Sequence, residues 1–263
     1  EKAKGLAADA IIFDLEDAVA MEEKPRARAL LAETLRTADY GQRARIVRIN
    51  GLDTEWGADD VAAMVGVPLE AILIPKVNSA ADVEAVARLI PGVDLWAMME
   101  TPLGMLNAAE IAAHPRLVGM VMGTNDLAKD LGTRFRADRL PMITGLGLCL
   151  LAARAHGVTI VDGVYNAFKD VDGLRAECTQ GRDMGFDGKT LIHPDQLAVA
   201  NEVFAPSEAE VDLARRQIAA FDEAKAAGLG VAVVDGKIVE NLHIVTAQAT
   251  LAKAEAIAAL SAG

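Results

Sequence analysis

The sequence predicts an α/β protein built as a (β/α)8 barrel, followed by a C-terminal helical extension with a small hairpin. Three observations carry this. Short apolar runs rich in β-branched residues recur along the chain. Segments rich in Ala, Leu, Glu and Arg, with three-to-four spacing, separate them. A polar or charged residue closes almost every run at its C-terminal end. Short strands that are apolar on both faces suit a parallel sheet covered by helices. Repeated βα units make either a barrel or a doubly wound sheet.

The runs lie at 10–14, 44–49, 71–76, 95–100, 118–123, 159–163 and 188–192, with helical segments such as 24–37 and 81–89 between them. These are seven runs, whereas a closed barrel needs eight. The chain opens in a helix-like stretch at 1–5, so the first strand is expected to precede residue 1. The doubly wound alternative lacks its glycine-rich turn, because nothing like GxGxxG follows a strand. In a parallel barrel the strand ends share one rim, where catalytic groups collect. That rim would carry Asp14, Arg48, Lys76, Glu100, Asn125, Asp126, Asp162 and His193.

The pattern changes after Pro194. Ser207 and Glu210 form a capping box for a helix that runs to about Ala227. Gly228 and Gly230 stop it. Asp235-Gly236 between two apolar stretches signals a hairpin, and a last helix covers about 242–260. The expected division is a barrel over 1–204 and an extension over 205–263 that packs on a neighbouring subunit.

Composition narrows the function. The 263 residues (27.7 kDa) are 52% apolar and 24% charged, which excludes a mostly disordered chain. Lys plus Arg number 26 against 38 for Asp plus Glu, a net charge of -12. Nucleic acid and anionic membranes call for cationic patches, so neither is an expected partner. No apolar run reaches the ~18–20 residues of a membrane span. The longest, 140–161, is broken by Arg154, His156 and several glycines. Cys149 and Cys178 have no paired spacing, so neither a disulfide framework nor a zinc site follows. With no signal peptide visible, the expected location is cytoplasmic.

Glu100 and Asp126 are the strongest candidate pair. They end consecutive runs about one βα repeat apart, so neighbouring strands would bring both carboxylates to one rim. Two such oxygens, with water and a substrate chelate, suit octahedral Mg²⁺. The plainer alternative is helix capping by Asp126 and a surface ion pair for Glu100. Arg48 ends its run among apolar neighbours and needs an anion. That anion is either a substrate carboxylate or enolate oxygen, or a nearby acid such as Asp14 or Glu16. Asp14, Glu16 and Asp17 form an acid cluster that calls for cations close by; Arg48, Lys76 and a metal would supply them, and Asp17 alternatively caps the next segment. Lys76 is either a Schiff-base lysine or a charge partner for these acids. His193 is either a general base or a structural hydrogen-bond partner. The two cysteines read as core.

The motifs Phe-Asp-Leu-Glu-Asp-Ala-Val (13–19), Val-Arg-Ile-Asn-Gly (47–51), Ile-Pro-Lys-Val (74–77), Met-Met-Glu-Thr-Pro-Leu-Gly (98–104), Gly-Thr-Asn-Asp-Leu (123–127), Val-Asp-Gly-Val-Tyr (161–165) and Gly-Phe-Asp-Gly-Lys-Thr-Leu-Ile-His-Pro-Asp-Gln (185–196) occur in this order. Together they resemble the citrate lyase β-subunit-like family, which belongs with the malyl-CoA lyases and the wider HpcH/HpaI aldolases. The resemblance covers nearly the whole chain. It implies a TIM barrel, a homotrimer or hexamer, and Mg²⁺, with Mn²⁺ as a substitute. It implies Glu100 and Asp126 as metal ligands and Arg48 as the substrate arginine. Asp14, Glu16 and Lys76 become substrate-side groups, and Asp17 a catalytic candidate. The 236–243 stretch resembles the segment that a neighbouring subunit places over the active site. Its acid is commonly Asp and is here Glu240.

The activity expected from this resemblance is Mg-dependent carbon–carbon bond cleavage in a 3-hydroxyacyl-CoA thioester of malyl, citramalyl or citryl type, releasing a 2-oxo acid. Hydrolysis of (3S)-malyl-CoA to malate and CoA is the alternative. A non-catalytic subunit of a larger lyase complex is a second.

Overall fold

The computed structural model describes residues 2–262, with side chains through Leu260. The chain divides into two compact units, residues 1–200 and 201–263.

The first unit is built on seven parallel strands: β1 (Ala10–Asp14), β2 (Ala44–Arg48), β3 (Ala71–Ile74), β4 (Asp94–Met99), β5 (Leu117–Met122), β6 (Thr159–Asp162) and β7 (Gly188–Lys189). Their spatial order is their sequence order, β1 to β7. Between them run α1 (Lys24–Thr37), α2 (Gly57–Met64), α3 (Ala80–Leu89), α4 (Pro102–Leu106), α5 (Ala108–Ala112), α6 (Thr124–Asp130), α7 (Ile143–His156) and α8 (Val171–Met184). In a parallel sheet whose strands follow sequence order, crossovers of the usual right hand put the helices on one face. A closed cylinder is not shown. Among the described residues the sheet has seven strands, and no pairing joins β7 to β1. The opening segment Lys2–Gly5 is a 3₁₀ turn, in line with the helix-like stretch expected there.

Strand residues alternate between the two faces. One face carries Ile46, Ala71, Leu73, Met98 and Val121 as a buried cluster, with Ala10, Ile12, Trp96 and Val161 packed against it. Two further residues along each strand from that cluster, Asp14, Arg48 and Glu100 stand on the same face at the C-terminal ends. The opposite face buries Val47, Ile72, Leu95, Ala97, Met99, Met120 and Ile160.

β7 is shorter than the 188–192 run. Thr190 leaves the ladder, donating both its N–H and its hydroxyl to the Asp162 carbonyl at 2.9 Å. Ile192 and His193 donate their N–H groups to Gln196 Oε1 instead.

α9 (Leu197–Phe204) leads out of this unit. In the second unit, α10 (Glu208–Ala226) starts with the Ser207–Glu210 capping box. β8 (Ala232–Val234) and β9 (Lys237–Val239) pair antiparallel around Asp235 (φ 50°) and Gly236 (φ 73°). Both turn residues are left-handed, as a two-residue hairpin loop requires. α11 (Asn241–Ala262) follows. The small core of this unit is Ala232, Val239 and Ile244 against Ile218, Phe221 and Ala224. Among the described residues, no helix is long and apolar enough to cross a membrane.

Candidate active site

The strand ends of the first unit build the site. Asp14 and Arg48 are direct register partners in β1 and β2. This neighbourhood lets the guanidinium close two hydrogen bonds on one carboxylate, from Nε at 2.8 Å and Nη2 at 2.6 Å. Asp14 also accepts the N–H groups of Glu16 and Ala18. Burial pushes the Asp14 carboxyl up, but the Arg48 bonds and these amides outweigh it and hold the acid below its usual range. Arg48 is likewise opposed by burial and carried above its ordinary value by Asp14.

The third guanidinium nitrogen faces two more acids. Arg48 Nη1 lies 3.0 Å from Glu16 Oε2 and 3.7 Å from Asp17. Lys76 Nζ donates to Glu16 Oε1 at 2.5 Å. Glu16 is 9% exposed, and burial raises its carboxyl despite the two cations. Burial lowers the Lys76 ammonium, yet the bond to Glu16 leaves it above its usual value. Asp17 is mostly exposed and does not cap the following turn, which begins at Ala20 without a side-chain cap.

Lys76 joins this cluster to Glu100. Its backbone is left-handed (φ 48°), unusual for a residue with a Cβ. In that conformation its N–H donates to Glu100 Oε1 at 2.8 Å. Glu100 is 1% exposed. Burial raises its carboxyl to about 7, and the charges of Glu16 and Asp126 push the same way. Gly123 makes the space: a Cβ there would meet Glu100 Cβ and lie 2.5 Å from Oε2. Asp126 sits in the first turn of α6, half-buried. It is not the cap, which falls at Gly123. Asn125 beside it exchanges two side-chain hydrogen bonds with Asn166, at 3.2 and 2.7 Å.

A divalent ion fits these residues. Glu100 is a buried carboxylate next to further acids, the setting in which a cation relieves the cost of ionisation. Hard carboxylate oxygens suit magnesium. Among the described residues, no three His, Cys, Asp or Glu side chains cluster to hold a metal. Glu100 and Asp126 are the two carboxylates of this rim that could reach one cation.

Other rim residues stand differently. Asp162 belongs to the opposite face of the sheet. It accepts two 2.7 Å bonds from Arg139 Nη1 and one of 3.3 Å from its register partner Lys189, which also binds Glu177 at 2.6 Å. This buried ion cluster is structural. Arg139 gave no sequence signal, since it lies in a loop with a left-handed backbone (φ 51°). His193 caps a 3₁₀ turn, accepting the Asp195 N–H at 3.2 Å, and stacks on Phe168. Glu240 lies in the second unit, exposed, its N–H donated to His243 Nδ1 at 3.0 Å.

Fold and rim define a parallel α/β protein with an acid-lined mouth suited to a hard divalent cation. Residues 1–194 match the HpcH/HpaI aldolase/citrate lyase family, and the chain belongs to that family of enzymes. It is 78% identical, over 100% of its length and 92% of the relative, to a (3S)-malyl-CoA thioesterase of Cereibacter sphaeroides. It is 38% identical, over 95% of its length and 86% of the relative, to the citrate lyase β subunit of Leuconostoc mesenteroides. Among solved structures it resembles the protein CitE of Mycobacterium tuberculosis in complex with magnesium, acetoacetate and coenzyme A. That match has a TM-score of 0.81 at 35% identity and covers 95% of this chain and 91% of the other.

These findings correct the expected activity. Carbon–carbon cleavage was read from a resemblance that the lyase relatives share only at lower identity, whereas the full-length relative at 78% is named for thioester hydrolysis.

Proposed function

We propose that the chain hydrolyses (3S)-malyl-CoA to malate and coenzyme A. The 78% full-length identity to a (3S)-malyl-CoA thioesterase carries this reading. A water oxygen bonds to the thioester carbonyl carbon, the carbon–sulfur bond breaks, and the proton from water ends on the coenzyme A sulfur. The tetrahedral centre formed on the way carries negative charge on the former carbonyl oxygen.

Arg48 and Lys76 oppose that charge. The bidentate grip of Asp14 fixes the guanidinium plane before substrate arrives, so little orientation is lost on binding. Asp14, Glu16 and Lys76 shape the substrate side of the rim, and Asp17 flanks the reacting group from the solvent side. Glu100 and Asp126 would hold magnesium, which when bound supplies a Lewis acid and a point of chelation for the malyl carboxylate. The CitE relative, in complex with magnesium, supports magnesium as the ion. Glu240 of a neighbouring protomer takes the proton from the attacking water, within a homo-oligomer. The sequential strand order supports a barrel wall around the rim.

Purified protein with malyl-CoA and Mg²⁺ tests the reading. Malate and free CoA thiol in equal amounts are expected. Acetyl-CoA and glyoxylate as the products would refute it.

A further inference from the structure

We infer that Lys24 is a positioning residue for the acid cluster, acting through Glu16. Lys24 opens α1, a position where a lysine is ordinarily a solvated charge. Its side chain is instead buried, at 6% exposure. Each of its three ammonium protons has an acceptor: the Leu15 carbonyl at 3.1 Å, the Glu16 carbonyl at 2.7 Å and Asn50 Oδ1 at 2.6 Å. The ring of Trp56 lies 5.1 Å from Nζ. None of the three acceptors is a carboxylate.

A full charge held only by dipoles inside a protein is costly unless something nearby returns the energy. Here the return lies directly ahead of it. The segment whose carbonyls Lys24 grips carries Asp14, Glu16 and Asp17. Arg48 and Lys76 supply two cations to those three acids. Lys24 touches none of the three carboxylates; it holds the Leu15 and Glu16 peptide carbonyls that lie between them.

The grip is rigid because its other members are fixed. Asn50 Nδ2 donates to the same Leu15 carbonyl at 2.8 Å and to Asp60 Oδ2 at 2.6 Å. Asp60, fully buried, also takes the Asn50 N–H at 2.9 Å and Arg28 Nε at 2.7 Å. An unbroken line of contacts runs from Lys24 to the metal-side acid. Lys24 holds the Glu16 backbone, the Glu16 carboxylate holds Lys76 Nζ, and the Lys76 N–H holds Glu100 Oε1. Removing the ammonium takes away the shortest bond to the Glu16 carbonyl and leaves, among the described residues, only the Asp14 and Val19 contacts to hold that peptide, so its carboxylate loses its fixed place between Arg48 and Lys76.

This inference rests on the reading of this rim as the reaction site. The test uses full-length K24M, which keeps side-chain length but loses charge and donors, with K24Q as a second variant should K24M not fold. Two measurements are made: a crystal structure of the variant, and kcat and KM for CoA release from malyl-CoA, alone and combined with E16Q. The Glu16 carboxylate should move out of hydrogen-bond reach of Lys76. Turnover per folded molecule should fall by about tenfold or more, the scale of a small misplacement at a reacting centre. The double variant should be no slower than E16Q alone, because both changes remove the same positioned group. A carboxylate still seated between Arg48 and Lys76, or turnover within twofold of wild type, would overturn the inference. If wild-type protein releases no CoA from malyl-CoA, the thioesterase reading fails. The crystal structure then decides the role of Lys24 by itself, in either direction.

Discussion

Glu100 and Gly123 are matched in space: the Glu100 Cβ and Oε2 together occupy the volume that any side chain at 123 would need. Gly123 has an ordinary backbone (φ −95°), so its role is room, not conformational freedom. G123A should fold but displace the carboxylate. Magnesium affinity, measured by calorimetry without substrate, should fall about 10- to 100-fold, the usual cost of disturbing a ligand's support. Unchanged affinity would separate Glu100 from the metal.

Asp14 takes two hydrogen bonds from Arg48 and Glu16 Oε2 lies 3.0 Å from its Nη1, and those acids depend on it. R48M should cost about 3–5 kcal/mol of stability in urea unfolding, because it strands Asp14 and Glu16 without their shared cation. Adding D14N should recover part of that loss, since the two residues share one pair of hydrogen bonds. A drop below about 1 kcal/mol, the worth of an exposed pair, would mean the cluster is solvated in solution.

Burial pushes the Cys149 thiol up to about 12 and the Cys178 thiol up to about 11. A raised thiol value means less thiolate at any lower pH, and the thiolate is the reactive form. Native protein at pH 8 should therefore resist iodoacetamide at both positions, and both should label once urea unfolds the chain. Labelling of native protein at the unfolded rate would show that these helices open readily.

E240Q should leave magnesium affinity unchanged and slow CoA release by roughly 10²- to 10⁴-fold, the span of a lost proton-transfer group. Mixing E240Q with an inactive E100Q protein should restore part of the activity in reassembled oligomers, if one protomer supplies the acid and another the rim. Wild-type turnover by E240Q would remove it from the mechanism.

Much of this was legible in the sequence, for identifiable reasons. Runs with polar ends located all seven strands. The alternation of faces put Asp14, Arg48 and Glu100 together, since each follows inward apolar residues two and four positions before it. The same alternation places Asp162 on the helix side, a distinction lost when run ends are treated as one rim. Lys24 was illegible because a lysine in a first helical turn looks like any surface charge. Its burial depends on Asn50 and Asp60, which are remote from it in the chain. The closed cylinder was inferred from seven runs plus a strand expected before residue 1; the described residues show the seven-stranded parallel sheet in sequence order and not the closure. The choice between cleavage and hydrolysis left no trace in the motifs. Both act on one thioester, and the malyl, citramalyl and citryl substrates differ by pocket-shape changes worth only ~1–3 kcal/mol per methyl.

On this reading Glu100 and Asp126 would grip one divalent ion. A crystal of this protein soaked in Mn²⁺, with anomalous scattering used to locate the ion, tests it most directly. One peak within about 2.0–2.3 Å of an oxygen from each carboxylate is the predicted result, the range expected for a small hard cation. A peak elsewhere, with both carboxylates still unligated, would contradict it.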